Sequence, residues 1–325
     1  MLCRWHAASR STRTGRLVGK IKIAIVGLGK IARDQHIPSL RSSDAFELVA
    51  VASPHHQLDG MPSFGDLPAL LHAVPEVEAV ALCTTPQVRY ELARYALERG
   101  RHILLEKPPG VTVSEVLALV DLAKQQGVGL FASWHSRHAR AVEPARIWLA
   151  GRKILAAMIT WKEDVRVWHP GQPWIWQAGG LGIFDPGINA LSILTRILPG
   201  SLALKRAELS YPRNCETPIA ARLLLSDSRG AAVQAEMDFR QTGLQTWDID
   251  VGTDAGRLHL SSGGSVMTVD NNPVETAGCS EYESLYAHFA SLVRGRAIDV
   301  DCAPLQLVAD AFLCGRRVEV EPFME

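Results

Sequence analysis

Ile21-Lys22-Ile23-Ala24-Ile25-Val26, followed at once by Gly27-Leu28-Gly29-Lys30-Ile31-Ala32, is the stretch whose reading decides the fold. The first six residues are a short β-branched run of the kind that forms a buried strand. The next six carry the pattern Gly-x-Gly-x-x-Ala, and a helix-like stretch continues to about Leu40. Such a triplet alone is common; directly after a strand and opening a helix, it has a mechanical meaning. Gly27 permits the tight turn, Gly29 lets the backbone approach a pyrophosphate, and Ala32 packs helix against strand. The free N–H groups at the helix start, around Lys30 and Ile31, favour the negative charge of phosphates.

Working outward, the pattern repeats. Strands are expected at Phe46–Ala52, Ala79–Cys83, His102–Leu105 and Val128–Ala132, with helices at Gln87–Arg99 and Val113–Gln126. Strands alternating with helices give βαβ units and a parallel sheet, here a Rossmann domain over residues 21–139. The end of the second strand selects the dinucleotide. An acid there would hydrogen-bond the ribose 2′-OH of NAD and repel a 2′-phosphate. The chain instead has Ala52-Ser53-Pro54-His55-His56, and Ser53 can donate to a phosphate oxygen. The expected cofactor is therefore NADP, with NAD tolerated; the corner holds no Arg, which keeps the preference weak.

Composition sets the outer limits. The chain has 325 residues, 47% hydrophobic and 21% charged, enough for roughly two cored domains. A formal net charge of 0 argues against nucleic acid or acidic membranes as partners. No run approaches the ~18 apolar residues of a membrane span. The six cysteines are scattered without metal-ligand spacing, so no metal is expected, and they read as reduced thiols of a cytoplasmic protein. Residues 1–20 carry five Lys or Arg and no acid. They read as a basic, disordered extension, with an organellar transit peptide as the alternative.

Two further motifs carry a resemblance. Thr84-Thr85-Pro86 follows the third strand, Glu106-Lys107-Pro108-Pro109 follows the fourth, and Gly179-Gly180-Leu181-Gly182-Ile183-Phe184-Asp185-Pro186-Gly187-Ile188-Asn189 lies downstream. Together these resemble the Gfo/Idh/MocA oxidoreductase family over nearly all of residues 21–325. Gly27–His36, Trp134-His135-Ser136, Trp161–Arg166, Trp168–Gln172 and Gly179–Leu198 resemble one subgroup, the bacterial L-arabinose and D-galactose 1-dehydrogenases. Asn189 stands where the wider family has His. The resemblance implies an α/β fold: an N-terminal Rossmann domain, then a C-terminal α/β domain (140–325) with an open, largely antiparallel sheet that often forms a homodimer interface. Strand-like runs at Leu155–Trp161, Ile219–Leu225, Ala231–Phe239, Trp247–Gly252 and Arg257–Leu260 agree. It also implies a nicotinamide cofactor held by Gly27, Gly29, Lys30, Ile31, Ser53, Thr84, Thr85, Pro86, Glu106 and Lys107.

Oxidising a cyclic sugar at C1 needs a place for a hydride and a place for a proton. Lys107, at the carboxyl edge of a parallel strand, is positioned to stabilise charge on the C1 oxygen. Asp185 and Asn189 are spaced i, i+4, so a helix begun by Pro186 turns both side chains the same way. Asp185 is assigned as proton acceptor with Lys107 tuning it, the missing His leaving open which of the two is the formal base; the alternative is that Asp185 merely caps the helix. Asn189, an amide, can only hydrogen-bond substrate. Eight Trp beside eight Phe and five Tyr is a high count. Trp168, Trp247, His169, His135 and Glu163 are the further candidates for sugar contact, since sugars offer both apolar faces and hydroxyls. The function implied is an aldose 1-dehydrogenase acting on L-arabinose, D-galactose or both. Its rivals are a family member acting on an inositol, a diol or a sugar nucleotide, and a non-catalytic nucleotide-binding regulator.

Overall fold

A computed structural model describes residues 19–324, so the basic extension lies outside the described residues up to position 18. Ile21–Val26 (β1) sits inside a parallel sheet, as its β-branched run requires. Phe46–Ala52 (β2) flanks one side, with Ser63–Phe64 (β3) at the edge. Ala79–Leu82 (β4), His102–Glu106 (β5) and Leu130–Ser133 (β6) follow on the other. Val26 pairs with Ala52 and Leu82, and Glu106 pairs with Ser133. The strands therefore end together, and Gly27, Ser53, Thr84, Lys107 and His135 all arrive at one edge. In open parallel sheets that edge is where ligands bind.

Burial runs along whole strands in this sheet because helices cover both faces. Leu67–Ala73 (α2), Pro86–Leu97 (α3) and Val113–Gln126 (α4) pack one face through residues such as Leu70, Leu97 and Leu119. α4 starts with a capping box between Thr112 and Glu115 and stops at Gly127 in the left-handed conformation. The helix after the glycine motif is not uniform. Ala32–His36 forms one wider π-type turn, continued by Ile37–Arg41 (α1), and this turn buries His36.

The second sheet is mixed and largely antiparallel. Ile154–Lys162 (β7) lies inside it between Thr246–Thr253 (β11) and Ala232–Asp238 (β10). Ala220–Asp227 (β9), Leu202–Pro212 (β8) and Arg316–Val320 (β16) extend one side. Gly256–Ser261 (β12), Val266–Val269 (β13) and Asn272–Val274 (β14) extend the other. Burial alternates along β9 and β10, with one face packed and one open. After the one-turn helix Val165–Trp168 (α6), Phe184–Ile197 (α7) lies on the packed face with Val142–Leu149 (α5) and Ala303–Cys314 (α9). Gly187 lets α7 lie close, because a Cβ there would meet the Met237 sulfur at 2.5 Å. All five expected strands of this half are present; β8, the edge strands and α2 were not anticipated.

One expectation is corrected. Residues 140–325 do not all belong to the second unit. Glu281–Gly295 (α8) packs Tyr282, Leu285, Tyr286 and Phe289 into the core beneath β1 and β2. Ile298–Asp299 (β15) then pairs with β6 at the edge of the first sheet. The first unit is therefore built from two distant stretches of chain, and the division at residue 139 fails for residues 281–299. No helix among the described residues is long and apolar enough to cross a membrane.

Candidate active site

The loop after β5 carries Lys107, and it is held from behind. Arg89 of α3, almost fully buried, donates to the carbonyl of Glu106 at 2.5 Å and also to the carbonyls of Pro108 and Thr84. Burial pulls this guanidinium down to about 10, against the favourable charge of Glu106, and leaves it a cation at neutral pH. Glu106 is equally buried. Its carboxylate accepts from His36 Nε2 at 3.1 Å, from the Tyr282 hydroxyl at 2.8 Å and from the Lys107 backbone N–H at 2.6 Å. Burial alone would raise this carboxyl; the hydrogen bond and charge of His36 outweigh it and hold Glu106 at about 2. For His36 burial works the other way, against the charged ring. Its neighbours Cys83, Tyr286 and Glu106 prevail, so the imidazole lies well above its ordinary value.

The Lys107 side chain points away from this anchor. Its ammonium donates to Asp185 Oδ1 and to the Asp185 carbonyl, each at 3.0 Å. Asp185 sits in the first turn of α7 behind Pro186, as the spacing predicts. It does not cap the helix: the cap position is Ile183, and no side chain closes it. The carboxylate is instead shared with the lysine and, at 3.6 Å from Oδ2, with His169 Nδ1. His169 Nε2 lies 3.2 Å from Glu163 Oε1, and Glu163 Oε2 accepts from the Trp247 indole at 2.8 Å. Lys107, Asp185, His169, Glu163 and Trp247 thus form one continuous polar chain.

That chain ends in a cleft of about 350 Å³ between the two sheets. Asn189, His135, Glu163, Trp168 and Trp247 all line it, while His169 stands behind Glu163. Trp247 stacks on Trp161 with centroids 6.0 Å apart, and Trp168 leans on Trp247 at 4.8 Å, so one wall is aromatic. Opposite, His135 pairs with Glu281 at 2.6 Å and stacks on Tyr282 at 5.4 Å. Ile31 and Gln35 bring the glycine-motif helix to the same cleft. The sequence reading missed Arg89, His36, Tyr282 and Glu281. The first two are ordinary-looking helix residues, and the last two come from the distant α8.

The expected dinucleotide residues fit their group. Gly27 has φ +94°, and a Cβ there would strike the backbone of Cys83 and Thr84 at 2.8 Å. A Cβ on Gly29 would meet no protein atom within 4 Å, so the space above that turn is open for a ligand. The Thr84 hydroxyl is buried without a hydrogen-bond partner, Thr85 precedes α3 in extended conformation, and Pro86 opens it. Ser53, half-buried, closes the second strand with its N–H on the Phe64 carbonyl at 2.9 Å. Lys30 is exposed and its ammonium is held by Asp34 one turn on.

Known proteins agree with this construction. A family model described as the oxidoreductase family, NAD-binding Rossmann fold, matches residues 21–133. Galactose 1-dehydrogenase of Pseudomonas fluorescens is 44% identical over 305 residues, covering 94% of this chain and 99% of that protein. The crystal structure of D-galactose-1-dehydrogenase from Rhizobium etli is 52% identical, with TM-score 0.90 over 94% of this chain and 99% of that one. A 3-ketoreductase from Actinomadura kijaniata, solved with NADP and TDP-benzene, shares the fold at TM-score 0.80 but only 19% of its residues over 93% of this chain and 99% of that one. With the glycine motif, the Glu106-Lys107-Pro108 loop and the Asp185 helix in these positions, the chain belongs to the Gfo/Idh/MocA oxidoreductase family.

Proposed function

We propose that this protein is an NAD(P)-dependent aldose 1-dehydrogenase that oxidises C1 of D-galactose and L-arabinose to the sugar lactone. The observation that carries the reading is the Lys107–Asp185 pair, 3.0 Å apart and little exposed, beside a cleft with an aromatic wall and polar ends. A nicotinamide bound along the first sheet would accept the hydride that leaves C1. The chain's own residues handle the rest. The Lys107 ammonium stabilises negative charge growing on the C1 oxygen, and Asp185 takes the hydroxyl proton. His169 and Glu163 give that proton an onward path, since each is within or near hydrogen-bond reach of the next. Asn189 and Glu163 bind ring hydroxyls, and Trp168 and Trp247 pack on the sugar's C–H face. The role of His135 is substrate contact from the opposite wall.

NADP is the preferred cofactor in this reading and NAD is accepted, because Ser53 stands where an acid would repel a 2′-phosphate. D-Galactose and L-arabinose share C2, C3 and C4 as pyranoses and differ in the hydroxymethyl at C5. A site that pairs the three shared hydroxyls accepts both if there is room beside C5; misplacing a hydroxyl costs more, by leaving buried partners unpaired. D-Fucose is therefore expected to be a substrate, and D-glucose and D-xylose poor ones. Initial rates at the reduced-nicotinamide absorbance band, over these five sugars with both cofactors, test the reading. D-Glucose or D-xylose as best substrate would sink it. The open face of the second sheet is proposed as a homodimer surface: Leu224 is exposed there among Arg206, Glu208 and Arg222. Sedimentation equilibrium checks it, and a monomer at micromolar concentration would exclude it.

A further inference from the structure

The corner that selects the dinucleotide looks, in sequence, as if it lacks a cation. The residues after β2 are Ser53-Pro54-His55-His56-Gln57, without Arg or Lys. The folded chain supplies one from elsewhere. Arg33, in the π-type turn after the glycine motif, reaches across to this loop. Its Nε donates to the Leu28 carbonyl at 3.3 Å, inside the glycine turn, and its Nη2 donates to the Gln57 carbonyl at 3.4 Å. The guanidinium thus bridges the pyrophosphate turn and the loop after the second strand. The adenosine ribose of a dinucleotide lies between those two segments.

Two features leave this arginine available to a ligand at that corner. The first is its lack of an acidic partner, which it shares with arginines elsewhere such as Arg41 and Arg140. Arg94, Arg146, Arg166 and Arg240 are each paired with a carboxylate, whereas among the described residues none pairs with Arg33. Its neighbour Lys30 is different, its ammonium being taken by Asp34. The second is spare capacity. A guanidinium has five N–H donors in a planar fork, and two long bonds to carbonyls leave three for an oxyanion. The side chain is exposed, so the fork faces solvent rather than core.

We propose that Arg33 grips the adenosine 2′-phosphate of NADP, with Ser53 as its hydroxyl partner, and so sets the cofactor preference of this chain. The proposal rests on the reading of this edge as the dinucleotide site. The fork matches phosphate geometry, and a phosphate carrying about two negative charges is a stronger partner for it than a neutral ribose hydroxyl. The same contacts give Arg33 nothing to hold on NAD beyond the protein carbonyls it already touches.

Direct binding of NADP and of NAD to the full chain without sugar, by titration calorimetry, tests this in wild type, Arg33→Ala and Arg33→Lys. The Arg33→Ala change should raise the Kd for NADP by about 10- to 100-fold, the scale of lost charge-assisted hydrogen bonds, and leave that for NAD within about two-fold. Arg33→Lys should fall between, because an ammonium keeps the charge and loses the fork. Free 2′-AMP should compete with NADP in wild type and lose that ability in Arg33→Ala. An equal loss for both cofactors would mean that Arg33 only latches the loop to the glycine turn, and it would overturn the proposal. So would an unchanged ratio of the two Kd values. The wild-type ratio answers a different question: a wild type that favours NAD defeats the cofactor preference argued above. The change in ratio on substitution judges Arg33 alone.

Discussion

Two carboxylates flank Lys107, and the regions around them are built to opposite ends. Behind it, Glu106 is saturated: an imidazole, a phenol and a backbone N–H all donate to it, and the residue itself is buried. In front, Asp185 has one firm partner, the lysine, and a looser one at 3.6 Å in His169. The first arrangement fixes a charge; the second leaves room for a proton to arrive and depart. The role proposed for Lys107 needs both, a rigid root and a partner whose protonation can change. What differs is not residue type but how many donors each carboxylate has been given.

The largest effect that would sharpen this comparison lies behind the lysine. Glu106→Gln removes the charge from a buried ion pair and should cost about 3 kcal/mol or more of stability, readable as a fall in denaturant midpoint. Its pH dependence has a definite sign. Glu106 is depressed to about 2 from an ordinary 4.5, so its contribution is present above 4.5 and fades as pH falls toward 2. His36 is raised above 6.5, so its contribution is full below 6.5 and fades as pH rises through its folded value. The wild type should therefore gain most from the pair between about 4.5 and 6.5, and the stability–pH curve of Glu106→Gln should be flatter on either side of that window, where the wild type loses the contribution. A variant with unchanged stability and slope would mean that the region behind Lys107 is not an anchor.

In front of the lysine the expected loss is in rate rather than stability. Asp185→Asn should lower turnover by ~10²-fold or more with cofactor affinity and melting temperature near wild type. If it instead lost stability and kept its rate, the contrast between the two carboxylates would be reversed. One turn further along α7, Asn189→Ala should raise the sugar KM by about 10-fold, the scale of one or two buried hydrogen bonds, with a smaller change in turnover. The smallest effect belongs to the cleft wall. Trp168, 38% exposed, borders open space, and Trp168→Phe should change the ratio of D-galactose to L-arabinose rates by only a few-fold. A change that abolished both activities would place Trp168 in the chemistry rather than at its edge.

Much of the first sheet is legible in the sequence because its signals are local. Expected and observed bounds coincide for β2 and α4, where β-branched runs and a capping box mark the ends within a few residues. The Lys107–Asp185 encounter was also readable, though only by way of two family motifs. What stayed hidden depends on distance along the chain. His36 meets Tyr286 across 250 positions, and no local pattern at either end announces it. Arg33 is hidden for another reason: a search for a cation in the loop after β2 looks along the chain, while the guanidinium arrives from a neighbouring helix. The capping alternative for Asp185 failed because α7 begins at Phe184, two residues before Pro186, which puts Asp185 inside the first turn, and the sequence does not mark that start.

The late return of α8 and β15 to the first sheet also bears on how the chain comes off the ribosome. The nucleotide-binding half cannot finish folding when its own strands have emerged, because Phe46 and Phe131 still lack the Phe289 ring that stacks on both. Only after position 299 leaves the exit tunnel can that sheet be sealed, and by then the intervening residues have been synthesised and can already be folded. A fragment cut at residue 139 would keep the glycine motif and expose an apolar sheet face, so the two halves cannot be separated and exchanged as independent modules.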